Sequence, residues 1–309
     1  MTIQTVLGRV SAKELGFTLP HEHVLCDFIG AEKTHAGRWK RDEVVAAILP
    51  NLKQLKERGV RTFVDCTPAY IGRDPVILKT LAQESGLHIL TNTGYYGGAG
   101  DKFVPKHAYE ETAEQLAARW LKECEKGIGG TGIKPGFIKI GIDEVSSEKP
   151  ELSEIDAKLV RAAAQVSRKT NLSVTCHTGG GLAGYAAVQL FIAEKANPAR
   201  FVVAHSDGHG TEFNVKVAEA GAWVSFDAVG WRPTQEHLAI VLPLLQKHPE
   251  RVLLSMDSGW YNAGEPSGGK IRPYTYLTDD FLPALRKAAV TEAQLHKITV
   301  ENPATVFAL

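Results

Sequence analysis

Two histidines separated by one residue are the first candidates for chemistry in this chain. His21 and His23 lie in the segment Pro20-His21-Glu22-His23. If this segment is extended, side chains two residues apart project to the same side, so both imidazoles can bind one metal ion. The alternative is that both are surface histidines, because a His-x-His motif is common by chance. Glu22 should point the opposite way, into the structure, and is not expected to be a ligand.

Two further histidines each follow a short apolar run. His177 ends Leu-Ser-Val-Thr-Cys, and His205 ends Phe-Val-Val-Ala. If these runs are neighbouring parallel strands, their histidines can bind a second metal ion. Either histidine alone could belong to the core or to a loop. Together with the first pair they indicate a two-metal centre.

An aspartate follows the last apolar run of this kind. Asp257 comes after Val-Leu-Leu-Ser-Met, and closure of the last strand on the first would bring its carboxylate beside His21 and His23. It could complete the first ligand set and, as the catalytic residue, accept a proton from metal-bound water. The alternative role is a helix N-cap or a loop brace.

A lysine interrupts an apolar strand pattern. Lys139 lies in Phe-Ile-Lys-Ile, where an unpaired ammonium is costly to bury. A neutral amine beside two metal ions could react with carbon dioxide to give a carbamate, which is a carboxylate on a long stem and could bridge both metals. The alternative is an ion pair with Asp143 or Glu144 at the edge of the sheet.

Short apolar runs alternate with longer amphipathic segments along the whole chain, which predicts a parallel sheet with helical crossovers. No GxGxxG motif follows the first strand, so a closed barrel is favoured over a doubly wound dinucleotide fold. The expected fold class is α/β, a (β/α)8 or TIM barrel in one domain, residues 1–309, with the metal site at the carboxyl ends of the strands. The predicted strands are Gly16–Leu19, Thr62–Asp65, His88–Thr91, Phe137–Ile140, Leu172–Thr175, Phe201–Ala204, Trp223–Phe226 and Val252–Ser255. The predicted helices are Asp42–Arg58, divided or kinked at Pro50, Tyr109–Lys126, Ser153–Lys169, Leu182–Ala196, Glu212–Ala220 and Thr234–Lys247.

The charges of the chain balance, with 35 Lys and Arg against 35 Asp and Glu. No net field would attract nucleic acid or an anionic membrane. No stretch approaches the roughly 20 apolar residues of a membrane helix, and the first ten residues lack the apolar core of a signal peptide. A small-molecule substrate and a cytoplasmic location are therefore expected. The four cysteines form no CxxC pair and are expected to be small buried side chains.

The ordered set of candidate ligands resembles the phosphotriesterase family of the amidohydrolase superfamily. The segments that carry the resemblance are Gly16–His23, Thr175–Thr178, His205–Asp207, Leu254–Asp257 and Glu301–Ala304, with Lys139 between them. The resemblance implies that His21, His23 and Asp257 hold one metal, that His177 and His205 hold the other, and that a carboxylated Lys139 bridges them. It implies zinc as the usual metal, with cobalt, manganese or iron as alternatives, and a homodimer.

Four residues relate the chain to branches of that family. The best-known members carry an Asp three residues after the strand-six histidine, where this chain has Gly208. After Asp227, phosphotriesterases carry His and the related lactonases carry Arg, whereas this chain has Ala228. These departures argue against efficient organophosphate hydrolysis and against membership of the best-studied lactonase branch. Tyr95 and Tyr96 resemble the aromatic pair that lactonase-like members place over the substrate, although loop packing is an equal alternative.

The segment after the last strand is expected to contact substrate, because loops at the carboxyl ends of barrel strands determine specificity. It contains Trp260, Tyr261, Lys270 and Arg272. The two cations suggest recognition of a carboxylate or phosphate substituent. The alternative is that both are simply solvated.

The hypothesis that follows is a hydrolase in which a hydroxide shared by two metals attacks a carbonyl centre. A lactonase of the phosphotriesterase-like family is preferred. Hydrolysis of an amide or a carboxylic ester is the alternative on the same site, and phosphotriester hydrolysis is expected only as a side activity. A barrel that only binds its ligand would require replaced metal ligands, and none is replaced.

Overall fold

Eight barrel positions are filled by parallel strands in chain order. The computed structural model describes residues 1–309. Its strands are β1 (Thr2–Thr5), β2 (Gly8–Ser11), β3 (Phe17–Cys26), β4 (Val60–Asp65), β5 (His88–Leu90), β6 (Asn92–Thr93), β7 (Phe137–Ile142), β8 (Val174–Thr178), β9 (Phe201–Val203), β10 (Trp223–Phe226), β11 (Val252–Leu254) and β12 (Gly259–Asn262). Strands pair in the orders β12-β3-β4-β5 and β6-β7-β8-β9-β10-β11. Only Thr91 separates β5 from β6, so these two strands form the third barrel position together.

Hydrogen bonds between the first and last barrel strands complete the ring. The N–H of His21 in β3 donates to Ser255 Oγ, 3.0 Å away, just beyond β11. The N–H of Asp257 donates to the carbonyl of His21 at 3.2 Å. The predicted (β/α)8 barrel is therefore confirmed.

Helices follow the barrel strands and cover the outer face. They are α1 (Arg41–Glu57), α2 (Pro75–Ser85), α3 (His107–Glu110), α4 (Ala113–Lys126), α5 (Glu154–Thr170), α6 (Gly181–Ala193), α7 (Thr211–Glu219), α8 (Thr234–Lys247), α9 (Leu282–Lys287), α10 (Glu292–His296) and α11 (Asn302–Phe307). None of them combines the length and the apolar character needed to cross a bilayer.

The barrel interior is packed with apolar side chains at its amino-terminal end. Phe137 at the start of β7 and Trp223 at the start of β10 belong to one cluster with Ile3 of β1 and Phe307 of α11. Both ends of the chain therefore close the base of the barrel. A larger cluster of 66 buried residues lies mainly between the strands and the surrounding helices. This packing leaves the carboxyl ends of the strands free to build a site.

The structure corrects several predicted boundaries. The first barrel strand runs through Cys26 instead of ending at Leu19, because β12 pairs with its second half in parallel, with Gly259 opposite His23 and Tyr261 opposite Leu25. β12 and the antiparallel hairpin of β1 and β2 were not predicted.

Two predicted helices also differ. The helix predicted from Tyr109 is broken: α3 ends at Glu110, and Thr112 caps α4 in a capping box with Gln115. By contrast, α1 continues through Pro50 as one helix.

Candidate metal centre

Six polar side chains meet in a cavity at the carboxyl ends of the strands. The cavity has a volume of about 510 Å³. The six are the predicted metal ligands: His21, His23, Lys139, His177, His205 and Asp257. They come from β3, β7 and β8 and from the positions just beyond β9 and β11, so residues far apart in the chain converge because parallel strands end at the same edge.

The first group of ligand atoms is formed by the two histidines of β3 and one aspartate. Asp257 Oδ1 lies 3.0 Å from His23 Nε2 and 3.9 Å from His21 Nε2. This oxygen is buried and accepts no hydrogen bond. Potential ligand atoms of all three residues lie within 4.8 Å of one another. Asp257 adopts the left-handed conformation (φ 48°), which for a non-glycine residue is maintained only by its surroundings.

The second pair of imidazoles adjoins the first group. The ring centroids of His177 and His205 are 4.4 Å apart, and those of His21 and His205 are 5.1 Å apart. His205 also adopts the left-handed conformation (φ 60°) where the chain leaves β9. The two groups thus form one continuous polar centre.

Lys139 lies in this centre. Its side chain is buried, and Nζ is 3.4 Å from Nε2 of His21. It makes no ion pair with a carboxylate, whereas Asp143, the alternative partner considered from the sequence, accepts a hydrogen bond from the N–H of Gly100. A buried lysine among imidazoles, without a carboxylate, fits a site that holds further groups.

Residues behind the histidines fix their orientation. Asp227, just beyond β10, accepts a hydrogen bond from Nδ1 of His21 (2.7 Å). Its other carboxylate oxygen accepts from the backbone N–H of His205 (2.9 Å) and lies 2.8 Å from Nδ1 of that residue. Thr67 Oγ1 accepts from Nδ1 of His23 at 2.7 Å. With Nδ1 engaged in each case, Nε2 is the nitrogen available to a metal, an arrangement typical of metal-binding histidines.

Glu22 lies on the opposite face of β3, as its position between the two histidines predicts. Its carboxylate accepts hydrogen bonds from the Ser255 hydroxyl (2.8 Å), the Met256 N–H (3.0 Å) and the Ser258 N–H (2.7 Å). Burial raises the pKa of Glu22 to about 8, and these hydrogen bonds oppose the shift. Because the donors lie on both sides of Asp257, Glu22 holds the segment that presents that ligand.

The electrostatics of the centre favour the protonation states that metal binding needs at His23, His177 and Asp257, whereas Asp227 raises the pKa of His205 against the effect of burial. Burial lowers the pKa of His23 to about 4 and also lowers the pKa of His177. Although burial alone would raise the pKa of Asp257, its contacts with His23 hold that pKa below its ordinary value. Neutral imidazoles and an ionised carboxylate are the ligand forms for divalent metals.

The residues present therefore fit a pair of divalent cations. The structural evidence is the unpartnered Oδ1 of Asp257, the buried side chain of Lys139 and the three imidazoles whose Nδ1 is engaged by Asp227 or Thr67. Nitrogen and carboxylate donors suit zinc, cobalt, manganese and iron, so the donor set alone does not select one metal.

Two of the six residues predicted to contact substrate line the cavity. Tyr96 lies beside His177, with ring centroids 4.8 Å apart, and Trp260 stacks on His23. The cavity wall does not include the other four, which are Tyr95, Tyr261, Lys270 and Arg272.

Local contacts explain these positions. The hydroxyl of Tyr95 lies 3.1 Å from Nε2 of His107, in the packing outside the cavity. Tyr261 follows Trp260 in β12 and so projects to the other side. Arg272 donates to Ser258 Oγ at 2.9 Å and stacks on Trp231. Its guanidinium braces the loop instead of facing substrate.

Several cavity residues were not found from the sequence. They are Phe28, Cys66, Pro68, Ile71, Ala99, Lys102 and Phe103. Most lie in the loops after β3, β4 and β6, where side-chain direction follows no regular period. Only their location after barrel strands could have signalled them.

Comparison with known proteins agrees with this geometry. The model of the phosphotriesterase family matches residues 1–307. The phosphotriesterase homology protein of Escherichia coli is 29% identical, over 94% of this chain and 98% of its own. The phospho-furanose lactonase of Mycoplasmopsis synoviae is 26% identical over 99% of this chain and 91% of its own, and the N-acetyltaurine hydrolase of Homo sapiens is 26% identical over 97% and 96%.

The chain is also similar to solved structures over its whole length. A variant of an organophosphorus hydrolase from Deinococcus radiodurans is 31% identical, superposes with a TM-score of 0.89, and covers 100% of this chain and 98% of its own. A protein engineered for organophosphate hydrolysis from a weak promiscuous lactonase template reaches a TM-score of 0.90 at 31% identity, with both chains fully covered. The chain therefore belongs to the phosphotriesterase family, whose members are binuclear metal-dependent hydrolases.

Proposed function

We propose that this hydrolase cleaves lactones and that Lys139 is carboxylated to bridge two metal ions. The observation that carries the proposal is the position of Lys139, buried without a carboxylate partner and 3.4 Å from Nε2 of His21. In the carbamate, the lysine nitrogen bonds to the carbon of carbon dioxide and releases a proton. The product is an anion that removes the cost of a buried ammonium and supplies ligand oxygens.

The other ligands divide into two groups. His21, His23 and Asp257 would hold one ion, and His177 and His205 would hold the other, with zinc as the first candidate and cobalt, manganese or iron as alternatives. Bound there, the two ions would polarise the substrate carbonyl and make a nucleophile available from water near neutral pH.

Asp257 is the proposed proton acceptor. Its Oδ1 accepts no hydrogen bond and lies within the cavity, where it can take the proton that water loses on attack. Its pKa is held below the ordinary value by His23, against the effect of burial, so the carboxylate is ionised and ready to accept.

Carbonyl chemistry is favoured over phosphotriester chemistry by two small residues. Gly208 and Ala228 stand where the family's phosphotriesterases carry a proton-relay Asp and His, and neither has a side chain that can move a proton. Tyr96 in the cavity wall supports a lactone, and so does the lactonase activity named for the relative from Mycoplasmopsis synoviae. Amide hydrolysis is the second candidate, because the human relative hydrolyses N-acetyltaurine.

The position of Lys102 in the cavity wall supports the proposal that the substrate carries an anionic substituent. Apart from Lys139, it is the cation of the cavity wall, which is otherwise rich in apolar side chains. Its backbone carbonyl is anchored by the N–H of Ala31 at 3.1 Å, and its exposed ammonium forms no ion pair. A polar group placed in an apolar cavity typically fixes the orientation of a ligand. Lys102 thus replaces Lys270 and Arg272 as the candidate for recognising a carboxylate or phosphate.

The test is a set of matched substrates assayed with the metal-reconstituted enzyme: lactones, N-acyl amides and phosphotriesters. Lactone turnover should exceed the other two. Robust amide turnover without lactone turnover would reverse the order. Metal-stripped protein is the control and should be inactive towards all three.

The anionic substituent is tested with a pair of lactones that differ only in a carboxylate. Lys102→Met should lower kcat/KM for the charged lactone about tenfold, which is about 1.4 kcal/mol, and leave the neutral lactone unchanged. Lys102→Arg should retain the preference. Equal effects on both lactones would contradict the role.

A homodimer is also proposed, on the family resemblance alone. Light scattering coupled to size-exclusion chromatography should give twice the chain mass of 33.6 kDa, and a monomer would contradict it.

A further inference from the structure

A buried histidine and aspartate lie behind the metal centre. His237 is in the first turn of α8 and is fully buried, and Asp207 follows His205 by two residues and is 5% exposed. Nε2 of His237 is 3.2 Å from Oδ1 of Asp207, within ion-pair distance, and neither atom makes a hydrogen bond elsewhere in the protein. Neither residue lines the cavity, so neither touches substrate.

The other oxygen of Asp207 holds the end of β10. Oδ2 accepts hydrogen bonds from the N–H of Asp227 at 3.0 Å and from the N–H of Ala228 at 3.1 Å. These two residues are where the strand turns into its loop. Ala228 has no polar side chain that could anchor this turn. The hydrogen bonds to Asp207 hold the backbone of the turn instead.

Asp227 links this turn to both ligand groups. One carboxylate oxygen accepts from Nδ1 of His21, and the other accepts from the backbone N–H of His205 and lies 2.8 Å from its Nδ1. One of these histidines belongs to each proposed metal site. A displacement of the β10 end would therefore misalign one ligand in each site.

At this buried position in α8, an apolar residue would stabilise the fold more than a histidine does. His237 lies against Phe281, with ring centroids 6.0 Å apart, and its Nδ1 is buried without a partner. An unpartnered buried polar atom costs about 1–3 kcal/mol. The contact with Asp207 is the one polar contact that can offset that cost.

We propose that His237 is a positioning residue for the metal centre: it fixes Asp207, which fixes the backbone of Asp227 and so aims His21 and His205. The inference rests on the proposed two-metal site. It assigns to α8, on the outside of the barrel, a role in metal affinity that no ligand motif indicates.

The test compares two amide substitutions of the same residue. In His237→Gln, the amide nitrogen can reach the position of Nε2 and contact Asp207. In His237→Asn, the amide reaches only the position of Nδ1 and leaves Asp207 without a partner. Each variant is loaded with zinc and titrated with a chromophoric chelator, and the cobalt-substituted forms are compared by visible absorption.

His237→Asn should bind metal about 10–100-fold more weakly, the range for residues that orient metal ligands, and its cobalt spectrum should change. The metal affinity of His237→Gln should stay within a few-fold of the wild-type value. Leu245→Ala, a buried truncation later in α8, controls for lost packing and should lower the melting temperature without changing affinity or spectrum.

Wild-type affinity and spectrum in His237→Asn would overturn the proposal, as would equal losses in the Gln and Asn variants or in Leu245→Ala. Failure of the wild type to bind two equivalents would instead refute the proposed metal site. The two failures are distinguishable because metal is measured directly, without turnover.

Discussion

The indole of Trp260 stacks on the imidazole of His23 with ring centroids 3.7 Å apart. Its Nε1 donates to the carbonyl of Asp257 at 2.8 Å. Trp260 thus contacts two members of one ligand group while forming part of the cavity wall. The contact depends on β12, which runs beside β3 and brings the chain after the last barrel strand back over the first.

Gly259 allows this close approach. Its φ is +100°, and a Cβ there would overlap the carbonyl oxygen of His23 and the hydroxyl of Tyr274. Gly259→Ala should push β12 away from β3, separate Trp260 from His23 and weaken metal binding at the group containing His23. Chelator competition should show at least about a tenfold loss, since even indirect perturbation of ligands costs that much.

The matched control is Gly130→Ala. Gly130 also has a positive φ (+77°), but a Cβ there would meet nothing within 4 Å. This variant should lose only the roughly 1–2 kcal/mol of left-handed backbone strain and keep its metal affinity. Equal metal affinity in the two variants would show that the approach of β12 to His23 is unimportant.

Lys139→Ala should remove the bridge between the two ligand groups. Metal content and activity should fall together, by more than about 100-fold in activity, because loss of a ligand should exceed the effect of losing an orienting residue. Short carboxylic acids, added at millimolar concentration, should restore part of both by entering the space vacated by the side chain. Undiminished turnover without added acid would contradict the bridging role.

The fold was predictable because burial dictates the pattern of its strands. Most barrel strands from Val60 to Leu254 are mainly apolar runs, since helices cover one face and the barrel interior the other, whereas β6 consists of Asn92 and Thr93. β12 was missed because Gly-Trp-Tyr-Asn carries no such run and owes its conformation to pairing with a strand more than 230 residues earlier. The same dependence on distant contacts explains why β3 extends beyond its predicted end at Leu19.

The residues of the candidate site were also predictable only in part. His177, His205 and Asp257 stand at or just beyond strand ends, and His21, His23 and Lys139 lie within β3 and β7. The strand patterns that carry all six can be located from the sequence. Phe28, Lys102 and Phe103 lie in loops whose shape depends on contacts between loops. Arg272 was predicted to face substrate, but it donates to Ser258 and stacks on Trp231, contacts that no local pattern could reveal.

Thr67→Val should weaken one of the two metal sites selectively. The variant keeps the shape of the side chain but loses the oxygen that accepts from Nδ1 of His23. The ring of His23 would then be free to rotate or to change tautomer, which should cost about tenfold in affinity at its own site. Titration of metal-free protein should show one weakened and one unchanged equivalent.

Thr67→Ser is the control for that substitution. It retains the hydroxyl acceptor while losing a methyl group, so its affinity should match the wild type. If Ser and Val weaken metal binding equally, packing around Thr67 matters and the hydrogen bond does not.

Stability should fall in mild acid because of His209, which lies outside the ligand set. Burial lowers the pKa of His209 to about 4 from 6.5, and its Nε2 lies 3.1 Å from Thr178 Oγ1. Between pH 6.5 and 4 the unfolded chain therefore binds more protons than the folded protein. The free energy of unfolding should decrease as the pH falls through this window, by up to roughly 3 kcal/mol from this residue.

His209→Gln keeps a donor for Thr178 but cannot titrate. In urea unfolding of the metal-free proteins at a series of pH values, the stability of wild type relative to the variant should decline from pH 6.5 towards pH 4 and stay level above pH 7. Removing metal from both proteins eliminates the acid release of ligands as a cause of the decline. Parallel curves for the two proteins would mean that His209 is protonated equally in the folded and unfolded states, and that acid lability arises elsewhere.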